Sequence, residues 1–301
     1  MATIPLRPLG FGEVVDGAVQ LYRRDFGLYY LVALLGAFPG YVVILASGVD
    51  FSGPAFDETT ELAAQFGEMG AVFGVIAIDG VISWVGMLAV AVAMAARIDE
   101  RGISVGGAYT GALRHLPAAG AATLLALLLF LAVAFFVAIL AMIPMALTGG
   151  SRSTLIIVLG VLMFLGVAVC MVSFWLAATF AIFPAVIIEG RGATGALGRS
   201  LQLCRGGWLR VVGIMVVALI INLAPSYAIV ALFGMQELFT SPEALETIGP
   251  GQQWLMNTAD LLVAPLTAPF MVGAIMILFH DRRVRSEAYD LEARASAMDA
   301  G

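Results

Sequence analysis

Six long apolar runs constrain this chain more than any other feature. They are Leu28–Gly48, Ala71–Ala96, Ala119–Ala146, Thr154–Ile188, Val211–Gln236 and Leu255–Phe279. The hydrocarbon core of a bilayer is about 30 Å thick, and about 20 helical residues cross it. Each run is long enough. Hydrophobic residues make up 61% of the 301 residues and charged residues only 12%, against roughly 25% charged in a soluble domain. Mean hydropathy is +1.00. The expected fold is all-α: a polytopic membrane protein, one integral membrane domain over 1–301, with six transmembrane helices. The fourth run is longer than a span needs, and it is expected to tilt, protrude or bend at Pro184.

Charge sets the orientation. Segments 1–27, 97–118, 189–210 and 281–301 hold 14 of the 15 basic residues, all of them Arg. The opposite connections, 49–70, 147–153 and 237–254, hold only Arg152 against eight acids: Asp50, Asp57, Glu58, Glu61, Glu68, Glu237, Glu243 and Glu246. Arginine-rich short loops stay in the cytoplasm, so both termini are expected inside. Glu13, Asp16, Arg23, Arg24 and Asp25 occupy the place where a signal peptide needs its apolar region, so the first run is expected to stay as an anchor.

The connecting segments carry a pattern of their own. Phe11, Val14, Val15, Ala18, Val19, Tyr22 and Phe26 share one helical face, and Glu13, Asp16, Gln20, Arg23 and Arg24 share the other. An amphipathic helix of this kind before a span is expected in the membrane interface. The template recurs 94 residues on, at Val105, Ala108, Tyr109, Ala112, Leu113, Leu116 and Gly120. It recurs again 182 residues on, at Ala193, Ala196, Leu197, Ser200, Leu201, Cys204 and Trp208. Gln20-Leu21-Tyr22-Arg23 and Gln202-Leu203-Cys204-Arg205 share a motif, whereas Gly106, Gly107 and Gly111 weaken the middle copy. The expected organisation is a threefold repeat of an interfacial helix and two spans, over 10–100, 102–188 and 190–280, followed by a cytoplasmic helix or tail at 281–301. Chance likeness among basic amphipathic linkers is the competing explanation.

Few residues offer chemistry. Asp79 and Asp260 stand early in their runs and are expected at the outer interface, where an outward-facing cation or substrate site is the alternative to simple hydration. Glu189 closes the fourth run beside Arg191 and is expected to cap the next helix or pair with an arginine. Asn222 is polar at mid-depth, three residues before Pro225, and is expected to bond the carbonyl that the proline frees or a neighbouring helix. Pro39, Pro144, Pro184, Pro225, Pro265 and Pro269 stand in spans and are expected to bend them. Gly36–Gly40 and Gly70–Gly74 have the spacing for close helix contact, and packing within the chain is expected over dimerisation. His115 and His280 are the only histidines, both at cytoplasmic edges. With no HExxH, GxSxG or P-loop, and Cys170 and Cys204 outside any metal-type spacing, no catalytic residue, cofactor or metal is expected.

Three stretches resemble one bacterial membrane family. The first is Arg7-Pro8-Leu9-Gly10-Phe11-Gly12-Glu13-Val14-Val15-Asp16-Gly17-Ala18 with Leu21-Tyr22-Arg23-Arg24. The second is Pro184-Ala185-Val186-Ile187-Ile188-Glu189-Gly190 with Arg199-Ser200. The third is Asp281-Arg282-Arg283-Val284-Arg285 with Glu287 and Tyr289-Asp290-Leu291-Glu292. The pattern resembles the glycerophosphoryl diester phosphodiesterase membrane-domain family over nearly the whole chain. Its motif positions here include Glu13, Asp16, Arg23, Arg24, Arg199, Asp281, Arg283 and Arg285. The resemblance implies a multi-spanning protein of a bacterial plasma (inner) membrane. The family's name comes from members fused to a soluble phosphodiesterase domain, for which this chain has no room, so phosphodiesterase activity is not implied.

The functional expectation is a non-catalytic integral membrane protein of the bacterial cell envelope, acting through lipid or protein partners. Anionic headgroups at the arginine-rich cytoplasmic face are the expected lipid partners, a membrane protein is a candidate partner, and nucleic acid is not expected. The alternative is a transporter or lipid translocator with a site between the helices, suggested by the repeat, the proline-bent spans, Asn222, Asp79 and Asp260. Oligomeric state is not legible from the sequence.

Overall fold

The computed structural model describes residues 7–49, 62–147, 154–232 and 249–287. Among these the regular structure is all helix, with no strand and nine helices: α1 Phe11–Arg24, α2 Phe26–Ser47, α3 Leu62–Ile98, α4 Val105–Leu147, α5 Thr154–Thr179, α6 Ile182–Ile187, α7 Ala193–Cys204, α8 Trp208–Leu232 and α9 Pro250–Glu287. Six spans are long and apolar enough to cross a membrane, with α5 and α6 together making the fourth. Their flanks carry bare apolar side chains: Phe135, Phe136 and Phe164 are 65%, 67% and 69% exposed. Water would not tolerate that density of exposed rings, and hydrocarbon would.

The chain forms two compact units by its internal contacts. One comprises Met1–Val14, His115–Met215 and Ile275–Gly301, the other Val15–Arg114 and Val216–Ala274. Both cut across the repeat boundaries expected from the sequence.

In the second unit, α2 crosses α3 at paired glycines. A Cβ placed on Gly36 would stand 2.5 Å from the Gly86 Cα, and one on Gly40 would stand 2.0 Å from Asp79 Oδ1. The first GxxxG element is therefore an internal helix contact. The second is not: a Cβ on Gly70 or Gly74 would meet nothing within 4 Å. Tyr109 closes the crossing by donating its hydroxyl to the Val32 carbonyl at 2.7 Å. Helix α1 packs through Ala18 against Ala218, Phe270 and Ala274, and Tyr22 donates to the Leu266 carbonyl at 2.6 Å.

In the first unit, the long fourth run does break, but not at Pro184 itself. The break lies at Phe180 and Ala181, between α5 and α6. Proline has no N–H for the carbonyl four residues back, and its ring crowds that carbonyl, which here belongs to Phe180. Pro184 then sits in the first turn of α6, where it is tolerated. The break also separates the Ala181 N–H from the Ala177 carbonyl, which an unbroken helix would join. Ser200 of α7 fills the gap: it accepts from the Ala181 N–H at 3.2 Å and donates to the Ala177 carbonyl at 3.0 Å.

The amphipathic segments share a buried register. Val14 and Ala18, Ala108 and Ala112, and Ala196 and Ser200 are all buried, at the spacings of the sequence template. The first and third segments are separate helices before their spans, broken at Asp25 and at Arg205–Gly207, where Gly206 takes φ +74. The middle one runs unbroken into its span as α4. Likewise Asp281–Glu287 is no separate element but the last two turns of α9; residues 288–301 of the expected tail lie outside the described residues.

Candidate functional site

The end of α9 carries two ion networks on different faces. Side chains four apart share a helix face, and side chains two apart point some 200° from one another. Asp281 with Arg285 and Arg283 with Glu287 are such i,i+4 pairs. Their offset aims one pair at the N-terminal segment and the other at the turn before α7.

The first network centres on Asp281, whose side chain is fully buried. Its Oδ1 accepts the Leu9 N–H at 2.8 Å. Arg285 Nε reaches both its oxygens, at 2.9 and 3.1 Å. Arg210, near the start of α8, donates Nε to Oδ2 at 3.2 Å. Both arginines also donate to the Leu9 carbonyl, Arg210 Nη2 at 2.6 Å and Arg285 Nη2 at 2.5 Å. The main chain at Leu9, itself buried, is thus clasped on both polar groups. Arg282 points elsewhere and is also buried. It donates to the carbonyls of Leu203 at 2.7 Å and Arg205 at 3.0 Å. It can lie there because residue 207 is Gly: a Cβ at that position would meet Arg282 Nη1 at 2.4 Å.

The second network centres on Arg199 of α7, whose side chain is 4% exposed. Its Nε and Nη2 grip Glu189 at 2.7–3.0 Å. Its Nη1 and Nη2 grip Glu287, the latter at 2.8 Å. Arg191 and Arg283 flank Glu189, at 2.5 and 3.4 Å. Burial alone would push the Glu189 carboxyl up, but hydrogen bonds from Arg199 and Arg191 outweigh it and hold the group below the usual carboxylate range. The Glu287 hydrogen bond, against desolvation, holds the Arg199 guanidinium above its usual value. Bidentate geometry of this kind is what a buried ion pair needs to repay its dehydration.

The other expected positions divide by location. Glu13 caps α1: its Oε2 accepts the Gly10 N–H at 2.5 Å, and it pairs with Arg7 at 2.6 Å. Hydrogen bonds from Arg7 and then Gly10 hold its carboxyl at about 2. Asp16, Arg23 and Arg24 are exposed on α1. In the second unit, Asp260 accepts from Ser226 Oγ at 2.8 Å, and Asp79 lies against Gly40 within electrostatic reach of Asp260. Asn222 departs from expectation: its backbone carbonyl accepts from Thr267 at 3.1 Å, while its side-chain oxygen is buried with no hydrogen-bond partner. Glu189 pairs with arginines, and the cap position of α7 is Gly192 with no side-chain cap.

The sequence thus pointed to Glu189, Arg199, Asp281, Arg283 and Arg285, all of which the two networks use. Leu9 and Arg282 lie inside the stretches that carry the family resemblance but are not singled out by it, and Arg210 lies outside them. No local spacing signals them, since Leu9 and Asp281 are 272 positions apart. Among the described residues no group of three or more His, Cys, Asp or Glu side chains is arranged to hold a metal ion.

Six apolar spans with buried guanidinium–carboxylate networks at one end of the first unit define an all-helical, multi-pass membrane protein. The chain belongs to the family described as Domain of unknown function (DUF7847), whose sequence model matches residues 25–279. Glu189, Arg199 and Arg210 fall inside the matched residues; Leu9, Asp281, Arg285 and Glu287 fall outside them. No curated protein and no solved structure matches the chain.

Proposed function

We propose that this is a non-catalytic protein of the bacterial inner membrane, with both termini in the cytoplasm, working through anionic lipid headgroups or a protein partner at its arginine-rich end. One observation carries the reading. The networks at that end join five arginines (Arg191, Arg199, Arg210, Arg283 and Arg285) to three carboxylates, Glu189, Asp281 and Glu287, and Arg282 lies beside them on the carbonyls of Leu203 and Arg205. The excess positive charge supports the reading, since each basic residue near an anionic leaflet contributes about 1 kcal/mol. The likeness to the membrane part of the glycerophosphodiesterase family belongs to the same reading, as a membrane module without its enzyme. The test is native mass spectrometry of protein purified from mixed phosphatidylglycerol and phosphatidylcholine. Preferential retention of phosphatidylglycerol is expected, and equal retention of the two lipids refutes the headgroup reading.

A second reading, a transporter or lipid translocator, is favoured by the Asn222 side-chain oxygen, which is buried without a partner on the helix that also supplies Ser226 to Asp260. A polar solute passing there would satisfy it. Flux through proteoliposomes that is insensitive to Asn222→Ala and Asp79→Ala together counts against this reading.

A further inference from the structure

We propose that Arg210 and Arg285 form a phosphate-binding site, and that the Leu9 carbonyl is its built-in plug. The proposal rests on the reading above only in placing this end of the first unit at the headgroup boundary.

The two guanidiniums share a neutral acceptor. Both aim Nη2 at one carbonyl oxygen, at 2.6 and 2.5 Å. That oxygen has two lone pairs for two donors, so the hydrogen bonding is complete, but it brings no charge. Among the described residues Asp281 is the one carboxylate bonded to this group, and it faces Arg210 and Arg285. Arg282, next in the chain, is held below its usual value by burial first, with repulsion from Arg285 and Arg210 set against the attraction of Asp281, and it spends its donors on neutral carbonyls. Three cations therefore share one anion. A phosphate oxygen in place of the Leu9 carbonyl would accept the same two N–H groups as charge-assisted bonds and offset the remaining charge. Paired guanidinium forks suit phosphate better than any neutral acceptor.

The plug is built to leave. Residues 7–10 precede α1 and belong to no helix. Leu9 N–H to Asp281 and Leu9 carbonyl to the two arginines tie the segment to α8 and α9. Pro8 has no N–H to add. The Arg7–Glu13 pair and the Gly10–Glu13 cap join the segment to the first turn of α1 and not to α8 or α9. Arg210 and Arg285 are 24% and 32% exposed as they stand, so an incoming anion can reach them before the carbonyl withdraws. The ligand is a phosphate monoester or diester anion, carried either by a lipid headgroup or by a free solute.

The test is a spin label on Arg7→Cys in full-length protein with Cys170→Ser; Cys204 is buried. Label mobility is read in phosphatidylcholine nanodiscs, with and without glycerol 3-phosphate, and in nanodiscs containing phosphatidylglycerol, with potassium chloride at matched ionic strength as control. Mobilisation by glycerol 3-phosphate assigns a free solute, and mobilisation by phosphatidylglycerol alone assigns the headgroup. Either effect must disappear in Arg285→Gln. Deleting residues 2–9 removes the competitor and is expected to tighten anion binding about tenfold or more, which keeps the proposal falsifiable if Arg285→Gln does not fold. A label that no anion mobilises, or that chloride mobilises equally, overturns the plug. If phosphatidylglycerol is still retained preferentially in that case, the proposed function stands without it; if that preference is also absent, both fall.

Discussion

Replacing Gly36 by Ala is the sharpest test of how the second unit packs. The added Cβ would lie 2.5 Å from the Gly86 Cα and 3.1 Å from the Tyr109 hydroxyl. Carbon atoms rest at about 3.5–4.0 Å, so α2 and α3 must part by roughly 1 Å at their crossing. The obstacle on one side is backbone, which cannot rotate away, and on the other a hydroxyl held on the Val32 carbonyl. Parting two packed helices by that much forfeits about a quarter to a half of each dispersion contact along the seam. Overpacking of this kind costs about 1–3 kcal/mol. Gly86→Ala, with its Cβ 2.8 Å from the Gly36 Cα, should act in the same direction. The two should fall short of additivity, because one separation relieves both. Gly70→Ala and Gly74→Ala provide the contrast. Each Cβ meets open space, and Gly to Ala within a helix gains about 0.5–1 kcal/mol. The assay is apparent melting temperature in detergent, followed by size-exclusion of the heated sample. Gly36→Ala should lower it, and Gly70→Ala should leave it unchanged or raise it. A common sign across the four variants would refute the crossing.

Three further outcomes follow from the first unit. Asp281→Ala strands Arg210 and Arg285 beside a buried main chain and should cost about 3–5 kcal/mol, read as a lost or strongly lowered melting transition; wild-type stability would disprove the clasp. Ser200→Ala leaves the Ala181 N–H unpaired at the α5–α6 break and the Ala177 carbonyl with only the Cys204 thiol, at 3.1 Å, and should cost about 1–3 kcal/mol, so an unchanged transition would mean the hydroxyl does not bridge it. Glu189 has its folded value depressed, so its contribution is complete above the ordinary carboxylate range, about 4, and is lost as pH falls through the folded value. Melting temperature should fall on acidification below about pH 4, and Glu189→Gln should flatten that dependence; equal acid sensitivity in the variant would count against the pairing.

What the sequence revealed depends on the range over which each interaction acts. The spans were legible because hydropathy needs no partner residue, only a solvent. Pro184 announced a bend, but the break falls four residues earlier because the missing N–H belongs to the carbonyl of Phe180. Two GxxxG elements looked alike, since spacing reports what a helix face permits and not whether another helix arrives. Gly36 has Gly86, and Gly70 has open space. The middle amphipathic segment runs straight into its span, because nothing at its end leaves α-geometry as Asp25 (φ −138) and Gly206 (φ +74) do at the ends of the other two. Glu189 and Arg191 are two residues apart and their pairing was foreseeable. The grip of Arg199 on Glu287 joins residues 88 apart, and only the fold makes them neighbours.

The clasp on Leu9 also bears on how the protein is made. Its acceptor, Asp281, leaves the ribosome 272 residues later, roughly 15 to 55 s at about 5–20 residues per second. Arg210 is made earlier, 201 residues after Leu9, but the Leu9 N–H lacks its carboxylate until α9 is nearly finished. The clasp is therefore among the last contacts of the first unit to form, and it waits on the final turns of α9.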